Sequence, residues 1–342
     1  MGYLTKRKFE ERERGLSLLL VVLLPALTLC GTLFRGADWR FDYLGEFKIQ
    51  IAFISCVLCL WNVFKSRWPE VAVFFLVAVL NVALVSSRCH LTADETKMPP
   101  DHYETTFLYQ DLKGADRKAE QIRGVLEKVD ADIVFWANVP VDIYRDLNAV
   151  KGNYHLQNQS FDKNGAMMLI MSRTPGTARG QIGKKGAGIW VARVIGNRKL
   201  TFALTDLGDP WNKKAYAETK EKVDDLVAFA RKRDDPVVLI GGFGASGWSR
   251  LLDGLETDAG LQTENTMFSA SASDKPFLLR RPTDFIYAHP GIEVSDLRKT
   301  DGIGTPRNGL TGTIKIAPAR KELEFFEMEP TVSEEKLLQP PL

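Results

Sequence analysis

The residues whose types and spacing best suit chemistry lie in Pro236-Val-Val-Leu-Ile-Gly-Gly-Phe-Gly-Ala-Ser-Gly-Trp-Ser249. Val237 to Ile240 reads as a buried strand, glycines follow at once, and Trp248, Leu251, Leu252 and Leu255 continue at roughly helical spacing. Gly242-Phe-Gly244-Ala-Ser-Gly247 fits G-x-G-x-x-G, in which glycine turns let a pyrophosphate approach a helix N-terminus. The context argues against dinucleotide binding. A second parallel strand ending in an acidic residue belongs about 20 residues further on, and Thr257-Asp-Ala-Gly-Leu-Gln-Thr-Glu-Asn-Thr266 is too polar for one. Cys56-x-x-Cys59 has redox spacing but lies inside an apolar run, where membrane packing explains it. All four cysteines (Cys30, Cys56, Cys59, Cys89) sit in or beside the apolar N-terminal third, which excludes a disulfide framework or cysteine zinc site elsewhere. The four histidines, His90, His102, His155 and His289, have no ligand spacing. A net charge of +2 gives no argument for a polyanion, nucleic acid included.

The elements that must position these residues divide the 342-residue chain into unequal parts. Three apolar runs, at about residues 15–34, 47–64 and 70–87, predict three membrane helices within residues 1–90. A signal peptide would leave two of the runs unexplained and lacks a clear cleavage site; buried core helices are the other alternative. Lys6, Arg7, Lys8, Arg12 and Arg14 precede the first run, and Lys65 and Arg67 separate the second from the third. The link between the first two carries only Arg35 and Arg40 well clear of its ends. This bias predicts a cytoplasmic N-terminus and a soluble part that is periplasmic or extracellular, on a plasma or inner membrane. Trp39, Trp61 and Trp68 suit interfacial positions.

Residues 91–103 read as a linker, 104–317 as one domain and 318–342 as a proline- and glutamate-rich flexible tail. Within the domain, strands are expected at 106–109, 132–136, 166–171, 189–195, 200–204, 237–240, 284–287, 292–297 and 310–316. Helices are expected at 116–129, 141–147, 216–233 and 251–255. Many strands, few long helices and hairpin-like neighbours favour a mixed sheet over a doubly wound parallel one. Trp136, Trp190 and Phe202 read as core; Trp211 and Trp248 follow turns and read as core or as fillers of a cleft; Lys184-Lys185 reads as a solvated loop.

From about Thr105 to Ile316 the order of these segments resembles the endonuclease/exonuclease/phosphatase superfamily, the DNase I-like metal phosphodiesterases, in its membrane-anchored bacterial branch. Ala131-Asp-Ile-Val-Phe-Trp-Ala-Asn-Val139 resembles the strand D-V-V-x-L-Q-E-V, and Asn164-Gly165 to Pro175 resembles G-x-A-I-L-S-R-x-P. Leu204-Thr-Asp-Leu-x-x-Pro210 is similar to x-x-H-L-x-x-P, and Leu239-Ile-Gly-Gly-Phe-Gly-Ala-Ser-Gly-Trp-Ser249 to L-x-G-D-F-N-A-T-P-W-S. Pro282-Thr-Asp-Phe-Ile-Tyr287 resembles R-I-D-H-I-F, and Gly304-Thr-Pro-Arg-x-Gly-Leu310 falls where G-S-D-H-R-P-L belongs. The resemblance implies an α/β protein: a four-layer sandwich of two mixed sheets with helices outside, following the three-helix membrane region.

It also implies hydrolysis of a phosphate ester on a divalent cation, usually Mg²⁺, held by a glutamate and an asparagine. In this chain those positions have changed. The metal-site asparagine falls at Gln110 and the glutamate at Asn138; the mid-chain histidine falls at Asp206. The aspartate and asparagine of the G-D-F-N turn fall at Gly242 and Gly244, and the closing histidine at Arg307. Only the histidine-orienting aspartate persists, as Asp284. Mg²⁺ requires hard, mostly anionic oxygens, glycine cannot take a proton, and arginine stays charged near neutral pH. The expectation is therefore a pseudoenzyme with no catalytic residues, metal or cofactor, and an Asp284–Arg307 ion pair in place of the catalytic dyad. Its partners would be the membrane and an unknown protein or ligand at the former cleft, with no nucleic acid. Two alternatives stand beside it. One is a divergent phosphoesterase that recruits Asp206, Asp111 or Asp284 with Mg²⁺, and the other is a structural envelope protein.

Overall fold

The computed structural model describes residues 2–87, 98–114, 119–161, 167–263, 281–300 and 309–319. Four helices come first among them: α1 (Gly2–Leu33), α2 (Trp39–Gly45), α3 (Lys48–Phe64) and α4 (Trp68–Ser86). The domain follows as β1 (Tyr103–Asp111), α5 (Ala119–Val129), β2 (Ile133–Val139), α6 (Val141–Val150), β3 (His155–Phe161), β4 (Met167–Ser172), β5 (Ala178–Ile182), β6 (Gly188–Ile195) and β7 (Arg198–Asp206). Then come α7 (Lys213–Arg231), β8 (Val237–Gly242), α8 (Asp253–Thr257), β9 (Gln262–Thr263), β10 (Asp284–Ala288), β11 (Ile292–Thr300) and β12 (Gly309–Ile316).

Two six-stranded mixed sheets form a sandwich, ordered β11-β12-β1-β2-β4-β3 and β5-β6-β7-β8-β10-β9. Each has one parallel pair near its centre, β1 with β2 and β7 with β8, and is otherwise antiparallel. Strand alternation builds three layers of core from this. Phe107, Tyr109, Phe135, Phe202, Val238 and Ile240 fill the space between the sheets. Leu108, Val134 and Trp136 face out under Ile122 and Leu126 of α5 and Ile143 of α6. Val237 and Leu239 face out under Val223 and Leu226 of α7. Central strands buried on both faces read as continuous apolar runs, which is why β2 and β8 are legible in the sequence. β3 and β5 are not, because they are edge strands with one neighbour each and polar residues along them. Trp136 and Phe202 are core as expected, and Trp190 packs half-buried against Phe229 of α7.

Two of the N-terminal helices are long and apolar enough to cross a membrane, residues Glu11–Leu33 of α1 and Trp68–Ser86 of α4. A third span results if α2 and α3, which meet at 55°, count as one broken span. The expected second span is thus a 17-residue helix preceded by a short one that the apolar pattern did not predict. Asp38 caps α2 by accepting from Arg40 N–H at 2.9 Å. Gly31 and Gly45 then let α1 and α2 approach backbone to backbone, since a Cβ on Gly31 would lie 2.9 Å from Gly45 N. The buried polar pair Asn81 and Thr28 ties α4 to α1 at 2.8 Å. Residues 91–97 of the expected linker and 320–342 of the expected tail lie outside the described residues.

Candidate functional site

The parallel pairs bring the positions that the resemblance singles out to one edge of the sandwich. Gln110 and Asp111 end β1, Asn138 lies beside them near the end of β2, Asp206 ends β7 and Gly242 ends β8. Gly242 pairs with Asp206 on one side and with Asp284, the first residue of β10, on the other. A Cβ on Gly242 would stand 3.1 Å from Asp206 Oδ1, 3.3 Å from Asp284 Oδ1 and 3.6 Å from the Tyr109 hydroxyl. Tyr109 adjoins Gln110, and a Cβ on Gly309 would meet Gln110 Oε1 at 2.5 Å. Gln110, Asn138, Asp206, Gly242 and Asp284 therefore share one neighbourhood, and Gly244 follows just beyond it. Arg307, and with it the expected Asp284–Arg307 pair, lies outside the described residues.

The local structure suits the residues that stand there. Asn138 sits at φ +52°, where β2 and β4 shift register, a conformation that asparagine tolerates better than most residues. Its Nδ2 donates to Asp111 Oδ1 at 3.1 Å, and Lys113 N–H donates to the same oxygen at 2.8 Å. Asp111 is fully buried and serves to close this turn. Among the described residues no three His, Cys, Asp or Glu side chains are grouped to hold a metal ion. Neutral amides stand at Gln110 and Asn138, so this donor set does not fit Mg²⁺ in the manner the resemblance implies.

The glycine turn is closed rather than open. Gly241 has φ +149° and Gly244 has φ +68°. A Cβ on Gly241 would overlap the Thr205 carbonyl oxygen, and one on Gly244 would overlap the Gly208 carbonyl oxygen. Backbone from the end of β7 and the segment after it thus lies directly against the turn, and only glycine permits that approach. The turn does not open a helix at Gly247: Ser249 caps a short 3₁₀ turn, Arg250–Leu252, that leads into α8. This arrangement does not fit the dinucleotide pattern.

Beyond the turn, the domain rests on its own N-terminal helices. Ser246 N–H donates to Glu46 Oε2 at 2.5 Å, and Trp248 Nε1 donates to Gly45 O at 3.0 Å. Glu46 faces Arg281 at 3.7 Å, and Arg281 reaches Asp209 at 2.8 Å while lying over the rings of Tyr43 and Phe47. Burial alone would favour loss of the Arg281 proton, but the Glu46 and Asp209 carboxylates outweigh it and raise the guanidinium pKa above its ordinary value. Tyr216 of α7 donates to Asp42, and burial together with that carboxylate pushes the phenol pKa up. Arg250 donates to Arg35 O at 2.7 Å. Trp248 is buried, but against Ile49 and Val85 rather than within the sandwich. Trp211 is 65% exposed, so it neither belongs to the core nor fills a cleft. Glu46 and Arg281 were not legible as a pair: each is a single charged residue in its own segment, and nothing local in the sequence links them.

No family model and no curated protein matches this chain. Solved structures share its fold. D. rerio TDP2, solved with a single-strand DNA product, matches with a TM-score of 0.53 at 14% identity, covering 62% of this chain and 98% of that one. An endonuclease/exonuclease/phosphatase from Bacteroides vulgatus matches at 0.52 and 11% identity, covering 62% and 99%. A family protein from Leptotrichia buccalis C-1013-b matches at 0.51 and 9% identity, covering 61% and 99%. The domain has the endonuclease/exonuclease/phosphatase fold, the DNase I-like two-sheet sandwich.

Proposed function

We propose that this chain is a membrane-anchored protein whose endonuclease/exonuclease/phosphatase-fold domain does not hydrolyse phosphate esters and instead binds or scaffolds a partner outside the cytoplasm. The observation that carries this reading is the closed glycine turn. Gly242 and Gly244 offer neither a base nor an amide to a phosphate, and the Gly208 carbonyl lies where a side chain on Gly244 would begin. The apolar N-terminal helices support the anchor, and the basic residues of the sequence support an orientation with residues 1–14 in the cytoplasm.

A second reading has one specific observation in its favour. Asp206 and Asp284 flank Gly242 closely enough to suggest a divergent phosphoesterase that uses them. Calorimetric titration of the full chain in detergent with Mg²⁺ and Mn²⁺, beside a phosphodiesterase assay, separates the two. The non-catalytic reading expects neither binding tighter than millimolar nor turnover. Tight binding with turnover that Asp206→Ala abolishes would overturn it. A structural envelope protein would show no ligand and would depend on its helices alone.

A further inference from the structure

Trp211 is an exposed aromatic on a segment fastened at both ends to the level where the N-terminal helices meet the domain. Two residues before it, Asp209 pairs with Arg281, which in turn pairs with Glu46, two residues from the start of α3. Five residues after it, Tyr216 donates to Asp42 of α2. The segment therefore cannot lie far from the ends of the apolar helices. Lys213 and Lys214 follow Trp211 in the first turn of α7, both exposed. On the helical side of the same junction, Phe34 is 53% exposed just after α1, and exposed Arg40 lies 5.6 Å over the ring of Trp39. Exposed aromatics beside lysine and arginine, at the level where apolar helices end, have the composition of a surface that sits in the headgroup layer of a bilayer.

We propose that the domain lies on the bilayer that anchors it, with Trp211 in the headgroup region and Lys213 and Lys214 against anionic lipid phosphates. The edge that carries the glycine turn then faces the membrane plane, since Ser246 N–H and Arg281 both reach Glu46 and Asp209 holds Arg281 from the other side. The inference rests on the anchored reading of the helices. The charge favours lipid over protein as the occupant, because two exposed lysines follow the tryptophan directly and an anionic lipid surface attracts them.

The test uses the full chain and its Trp211→Phe variant in liposomes of phosphatidylcholine with phosphatidylglycerol, with and without brominated acyl chains. The difference in tryptophan emission between the two proteins reports Trp211, and the emission left in the variant reports tryptophans of the helices, including Trp61 and Trp68. Equal melting temperatures establish that the exposed substitution leaves the fold alone. Quenching of the difference signal by about half or more, weakened when phosphatidylglycerol is omitted, is expected. An unquenched difference signal beside quenched variant emission would overturn the proposal and leave the anchor standing. No quenching of either would overturn both. A difference signal that responds only to another protein would assign Trp211 to a protein partner and also overturn the proposal.

Discussion

At Gly244 two independent constraints act, and they separate what backbone conformation forbids from what space forbids. Its φ of +68° alone would admit asparagine, the residue the resemblance places there. The contact with Gly208 would not, because any Cβ overlaps that carbonyl oxygen. Gly186 has a similar φ of +70° and nothing within 4 Å of its Cβ position, so it serves as the internal control. Gly186→Ala should cost about 1 kcal/mol, and Gly244→Ala at least about 2 kcal/mol more; equal losses in thermal unfolding would refute the closed turn. His289 gives a pH-dependent case. Its Nδ1 accepts the Val237 N–H at 2.7 Å, and burial lowers its pKa below the ordinary value. The native state requires the neutral ring, so its stabilisation is present above the unfolded value of about 6.5 and is lost as pH falls through the lower folded value. Thermal melts of the wild type should lose stability as pH falls below about 6.5, and His289→Phe should lose roughly 1 kcal/mol at pH 7.5 together with that part of the pH dependence. A variant whose pH profile parallels the wild type would exclude His289 as the source.

At the scale of elements, the contact that defines this molecule is α2 and Glu46 against the turn after β8. Glu46 and Arg281 are both almost fully buried, so removing one partner leaves a charge with too little compensation. Arg281→Met should therefore cost about 3 kcal/mol, Glu46→Gln less because Asp209 still faces the arginine, and the double variant less than the sum. Additive losses in a double-mutant cycle would show that the two side chains do not interact. Strands were legible where both faces are buried, as at β2 and β8, and helices where one face is apolar, as along α7. Edge strands β3 and β5 were hidden by their polarity, and α2 by its shortness and by its position between apolar runs. That Asp206, Gly242 and Asp284 meet could be expected from segment order, since they end β7 and β8 and begin β10. How the turn closes could not, because it depends on the Gly208 carbonyl and on Glu46, which no local pattern ties to it.

For the whole molecule, the consequence is that helices and domain share buried surface and should not behave as a tethered bead. Trp248 is 2% exposed, and its cover is Ile49 of α3 and Val85 of α4. Its indole N–H, the Ser246 N–H and the Arg281 guanidinium all find partners in residues 45 and 46. A chain beginning at residue 98 would return the Trp248 side chain to water, at a cost on the order of 3 kcal/mol in lost apolar burial. It would also leave Arg281 with Asp209 as its remaining described carboxylate. The fragment should melt several degrees below the domain transition of the full chain, show red-shifted tryptophan emission and bind an apolar dye. Glu46→Gln in the full chain should reproduce part of the thermal shift without the dye binding, because the helices still cover Trp248. A fragment that melts with the full-length domain and binds no dye would mean that the edge bearing the glycine turn is free of the anchor, and the reading of that edge as the seat of the helices would then fail.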